Sequence, residues 1–119
     1  MKPIEIHREQ PAQNEVIVQL YLDPDLNWFR GHFFIQPLLP GVAQIDWVMH
    51  YAETLLAPSW FFSSVEMVKF QLPLQPGDKL LLKIKWDEEK HLLTFHYDVK
   101  AQNGSESQTA SQGKIKLCR

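Results

Sequence analysis

The stretch Pro40-Gly41-Val42-Ala43-Gln44-Ile45-Asp46-Trp47-Val48-Met49-His50-Tyr51-Ala52-Glu53-Thr54-Leu55-Leu56-Ala57-Pro58 decides how this chain folds. Val42, Ile45, Met49, Ala52 and Leu56 recur at helical spacing, which predicts a helix from Val42 to Ala57. Pro40-Gly41 opens it and Pro58 ends it. Trp47, Val48 and Tyr51 make the remaining sides apolar too, so the helix is expected to be enclosed on most sides. It is the one convincing helix in the chain.

Outward from it, the sequence reads as strands. Val16, Val18, Leu20 and Leu22 lie on one side of a strand that Asp23-Pro24-Asp25 breaks. Phe61 to Leu72 is β-prone, and Gln75-Pro76-Gly77-Asp78 places Pro and Gly where a type II turn wants them. Leu80, Leu82, Ile84 and Trp86 alternate with Lys79, Leu81, Lys83 and Lys85. After the Asp87-Glu88-Glu89-Lys90 turn, Leu93, Phe95, Tyr97, Val99 and Ala101 face one way, against Thr94, His96, Asp98 and Lys100. Asn103-Gly104 signals a hairpin, and a polar strand follows from Glu106 to Leu117. One buried helix with a run of antiparallel strands makes the fold class α+β.

Length and composition bound the function. The 119 residues fit one compact domain, residues 1–119, with no repeat or linker. Twelve basic against 14 acidic side chains argue against a nucleic-acid binder, which carries a basic domain or stripe. A single cysteine, Cys118, excludes an intrachain disulfide and any zinc site built on several cysteines. No His/Cys cluster has metal-ligand spacing, so no metal is expected. No run approaches the ~20 apolar residues of a membrane span, and the N-terminus lacks a signal-peptide pattern. The expected compartment is the cytoplasm, with no membrane contact.

Three features carry chemistry. His32 lies in Trp28-Phe29-Arg30-Gly31-His32-Phe33-Phe34-Ile35-Gln36-Pro37, an apolar segment leading into the helix. A partly desolvated imidazole there favours the neutral form, able to act as a base near neutral pH. On composition alone, a hydrogen-bonded core histidine is the favoured reading. Asp46 lies one turn after Val42 at the border of the apolar stripe, as a partnered acid or as part of an exposed polar edge with His50 and Glu53. Gly41 places a backbone N–H at the helix N-terminus, where negative charge is stabilised. A base, a carboxyl acid and an oxyanion donor together suit proton abstraction next to a carbonyl.

The order Gly31-His32-Phe33, Pro37-x-x-Pro40-Gly41-Val42, then an acid at Asp46, resembles the signature of the 3-hydroxyacyl-(acyl carrier protein) dehydratases of FabA/FabZ type, which have the hotdog fold. A second run, Val68-Lys69-Phe70-x-x-Pro73-x-x-Pro76-Gly77-Asp78, resembles the strand and turn that follow the helix in that family. The resemblance covers residues 27–117. It departs at Phe34-Ile35-Gln36, where the family usually has Gly two residues before its Pro.

The resemblance implies one central helix wrapped by an antiparallel sheet. It implies dehydration of a (3R)-3-hydroxyacyl thioester to the trans-2-enoyl thioester, with no cofactor. His32 would be the base, Asp46 the acid, and Gly41, beside Val42, the donor to the thioester carbonyl. It further implies an acyl carrier protein as partner. A homodimer or trimer of dimers is implied as well, with the histidine of one subunit meeting the acid of its mate. Phe33, Trp47 and Tyr51 are the expected pocket residues. Nine of the 14 aromatics fall between Trp28 and Phe62; ordinary core accounts for that, as would a pocket for aryl-polyene chains, whose dehydratases this short chain also resembles. Residues 1–60 carry net −4 and residues 61–119 net +2. Arg30 and Lys69 are the candidates for docking an acidic carrier, against the alternative of ordinary solvated charges. Two other readings stay open: a hotdog acyl thioesterase, and a non-catalytic acyl-binding subunit.

Overall fold

Alternating apolar and polar residues build a sheet that closes around one helix. The structure, a computed structural model, describes residues 3–25, 41–100 and 106–119. Six strands form one sheet: β1 (Ile4–Ala12), β2 (Glu15–Tyr21), β3 (Phe61–Phe70), β4 (Lys79–Asp87), β5 (Leu92–Lys100) and β6 (Ser107–Cys118). Their spatial order is β1-β2-β4-β5-β6-β3, with every neighbouring pair antiparallel. The expected alternation holds. Val16, Val18, Leu20, Leu80, Leu82, Ile84, Trp86, Leu93, Phe95, Tyr97 and Val99 all point inward and are buried. With the helix on that inner face, this is the hotdog arrangement.

The turns behave as their residues require. Gly77 has φ 87°, and the Asp78 N–H donates to the Gln75 carbonyl at 3.2 Å. The Gly77 N–H donates to the Leu22 carbonyl at 2.7 Å, tying this turn to the end of β2. The expected hairpin at Asn103-Gly104 lies outside the described residues.

The helix α1 spans Gly41–Tyr51 and widens into a π turn over Ala52–Leu56. There the Thr54 hydroxyl donates to the His50 carbonyl at 2.9 Å, entering the backbone ladder, a known route to such irregularity. Ala57 and Pro58 then leave the helix, close to the expected end.

One expectation about the helix needs correction. Val42 does not belong to the buried stripe; it is 66% exposed. The helix is otherwise enclosed on most sides, as expected, with Val42, Asp46 and Glu53 on its one open side. The buried side runs through Ala43, Gln44, Trp47, Val48, Met49 and Tyr51. Trp47 sets this phase: it is the largest fully buried side chain, and turning it inward removes more apolar area from water than Val42 could.

Strand β1 went unread because every residue of it is exposed and no apolar alternation marks it. Pairing with β2 makes it a strand, and its edge position tolerates Pro11. It also grips the end of the helix. The Tyr51 phenol donates to the Glu5 carboxylate at 2.9 Å, and the Gln10 amide donates to the Leu55 carbonyl at 3.2 Å.

Candidate active site at the start of the helix

The first turn of α1 presents the chemistry. Backbone N–H groups at a helix start have no partner within the helix, so they are free to receive developing negative charge. Gly41 is the first residue of α1 and is half-buried. The reason it is glycine lies across the sheet. The Phe70 ring, at the end of β3, rests on it so closely that a Cβ there would sit 2.5 Å from the ring's Cζ. Phe70 is itself 51% exposed.

Asp46 is one turn beyond Val42 on the same side of the helix, and both are exposed. Of the two environments open for Asp46 from the sequence, the protomer therefore has the exposed one. Val42 and Asp46 thus share one open side of the helix, while Gly41 and Phe70 meet at its start. His32, Phe33 and Arg30 lie outside the described residues.

The other singled-out residues lie elsewhere. Trp47 is 1% exposed and packs in the core between helix and sheet. Tyr51 is buried, and burial first, then its bond to Glu5, pushes its phenol well above the usual range. Lys69 is the register partner of Gln112, while the next residue, Phe70, reaches the helix. Strand alternation therefore puts Lys69 on the sheet face away from α1. Among the described residues, no group of three or more His, Cys, Asp or Glu could hold a metal ion, and no helix is long and apolar enough to cross a membrane.

Sequence reading missed two residues at this site, Phe70 and Gln44. Phe70 stood in the sequence only as part of the second family motif, and β3 crossing the helix start is what brings it to Gly41. Gln44 did carry one: an amide side chain in a helix otherwise expected to be apolar. It is 3% exposed, and the Ser111 hydroxyl donates to its Oε1 at 2.6 Å.

Comparison with known proteins agrees with the motif resemblance. The ApeI-like family, described as ApeI dehydratase, matches residues 7–114. The structure of the dehydratase heterocomplex ApeI:P from Xenorhabdus doucetiae is similar over the whole of both chains, with 77% identity and a TM-score of 0.93. A crystal structure of an uncharacterized protein from Erwinia carotovora subsp. atroseptica is 50% identical, with a TM-score of 0.90 over 99% of this chain and 97% of that one. Among curated proteins, the 3-hydroxyacyl-(acyl-carrier-protein) dehydratase FabZ of Histophilus somni strain 2336 is 30% identical over 99 residues, 76% of this chain and 64% of that protein. The chain thus spans just under two thirds of that relative's length. The dehydratase domain of the polyketide PpsC from Mycobacterium tuberculosis, 18% identical with a TM-score of 0.71 over 98% of this chain and 43% of that one, shares the fold. On the family match and these likenesses, the chain belongs to the ApeI-like dehydratase family.

Proposed function

We propose that this protein removes water from a (3R)-3-hydroxyacyl thioester held on acyl carrier protein, giving the trans-2-enoyl thioester in fatty-acid or aryl-polyene-type biosynthesis. The observation that carries the reading is the helix-start amide at Gly41 together with the exposed carboxyl of Asp46, five residues further along the same helix. His32 takes the proton from the α-carbon. The electron pair left behind spreads onto the thioester oxygen, which the Gly41 N–H stabilises. As the α,β double bond forms, the bond to the β-hydroxyl breaks and Asp46 supplies the proton that makes water the leaving group. The names of the relatives, ApeI dehydratase and FabZ, support the same reaction.

A second copy completes the site in this reading: Asp46 of one protomer meets His32 of the partner subunit. The support is an exposed apolar surface that one protomer leaves uncovered. Strand β3 is an edge strand, and it exposes Phe62, Val65 and Phe70, with Val42 of the helix exposed as well. Such a surface is expensive to leave in water and typical of an interface. Arg30 and Lys69 remain the assigned contacts for an acidic carrier protein, and a cytoplasmic location fits that partner.

The deciding experiment incubates the protein with a 3-hydroxyacyl carrier protein and follows enoyl thioester and free thiol together. Dehydration gives enoyl thioester without thiol. Thiol release would make it a thioesterase, and neither product would make it a non-catalytic acyl-binding subunit.

A further inference from the structure

The inner faces of β5 and β6 are apolar except at one place. Tyr97 and Ser111 are direct register partners there, both 0% exposed, among Phe95, Ala110 and Ile115. Both hydroxyls reach the same helical residue. The Tyr97 phenol donates to the Gln44 backbone carbonyl at 2.6 Å, and the Ser111 hydroxyl donates to the Gln44 side-chain Oε1 at 2.6 Å. Two polar groups in an apolar wall cost desolvation unless their bonds return it, so their joint aim at one residue is a specific arrangement. Burial also pushes the Tyr97 phenol far above its usual range, so it stays a donor.

The place they grip is informative. Gln44 lies three residues after Gly41 and two before Asp46. At about 100° per residue, Gln44 and Asp46 point to nearly opposite sides of the helix. Holding Gln44 against the sheet therefore fixes how far α1 is rotated and how high its first turn sits. It thereby fixes the direction of the Asp46 carboxyl and the Gly41 N–H. Apolar packing alone is tolerant of small rotations and slides, whereas two short hydrogen bonds to one residue are not.

We propose that Gln44, Tyr97 and Ser111 form a positioning clamp that sets the catalytic geometry of the helix start. The clamp rests on the dehydratase reading above, and its members touch neither substrate nor the reacting atoms. Its test is the Tyr97→Phe/Ser111→Ala double variant, with each single variant alongside. Each change removes one hydroxyl and leaves the fold's apolar contacts in place. On a small 3-hydroxyacyl pantetheine thioester, at a temperature where all forms are fully folded, the double variant should lose at least about tenfold in kcat. Its KM should stay within about twofold. Backbone hydrogen exchange supplies a readout independent of activity. Amides Ile45 to Val48, which bond to the first-turn carbonyls, should exchange at least about tenfold faster in the double variant.

A double variant whose kcat stays within about twofold of wild type overturns the positioning role. Unchanged exchange at Ile45 to Val48 overturns the clamp itself. An inactive wild-type protein overturns the dehydratase reading instead, and the exchange measurement then judges the clamp alone. If the double variant does not fold, Tyr97→Phe by itself is decided by the same two thresholds.

Discussion

The Phe70 ring lies against Gly41 at the distance where any added Cβ would collide with it, 2.5 Å from Cζ. The contact joins the end of β3 to the first residue of α1. It makes glycine at position 41 a packing requirement as well as an amide donor. Because the ring is half-exposed, it has room to swing away, so the collision is not a fatal one.

Gly41→Ala should therefore cost about 1 kcal/mol or less in stability, at the low end for overpacking. The cost should vanish in a Phe70→Ala background, since nothing then opposes the methyl group. Urea unfolding of the four forms measures this coupling. An undiminished cost without Phe70 would show that the ring is not what excludes alanine.

Gly113→Ala should behave very differently. A Cβ there would meet the Met67 carbonyl oxygen at 2.5 Å and the Phe95 ring at 2.8 Å. The first is backbone in the neighbouring strand and the second is a core side chain, so neither can move cheaply. The expected loss is about 3 kcal/mol, which should lower the thermal midpoint by on the order of 10 °C. A thermal midpoint within a few degrees of wild type would contradict this packing.

His32→Ala and Asp46→Asn should each reduce kcat by about 10²- to 10⁴-fold, the range for loss of a general base or acid. Mixing the two inactive proteins after unfolding and refolding should bring activity back. In a mixed dimer, one site then holds both changes and the other holds neither. Random assortment puts about a quarter of all sites in the intact class. No recovery, with dimers confirmed by light scattering, would place both residues in the same subunit's site.

The Asp78 carboxyl is raised above its usual range by burial, only partly offset by the Gln75 N–H it accepts at 2.8 Å. A carboxyl raised by folding binds its proton more tightly in the native state. Its stabilising contribution is present below the unfolded pKa and is lost as pH rises through the folded one. Wild type minus Asp78→Asn, compared by urea unfolding, should therefore fall from about pH 3 to about pH 6. The amide can still accept the Gln75 N–H but does not titrate. A flat difference across that range would count against a buried carboxyl in this turn.

Most of the sheet was legible because its strands are half-buried. One face of β2, β4 and β5 meets the core, so a two-residue period is written into Val16-Val18-Leu20, Leu80-Leu82-Ile84 and Leu93-Phe95-Tyr97. The turn at Gly77 was legible for a similarly local reason, since a positive φ selects glycine. The existence of the helix followed from its spacing and its flanking prolines. Its Gly41 and Asp46 stood out through their order relative to His32, which is a property of the chain and not of the fold.

What the chain could not settle locally was which way the helix faces. Val42 and Trp47 are both apolar, and a helix apolar on several sides has no unique buried stripe. The sheet decided it, by offering a space that Trp47 fills and by aiming Tyr97 and Ser111 at Gln44. Strand β1 is the opposite case: exposed along its whole length, it carries no burial pattern to read, and only the free edge of β2 makes it a strand. Phe70 on Gly41 belongs with these, because the two stand 29 positions apart in the chain and sequence spacing carries no information about a contact made by the closure of the sheet.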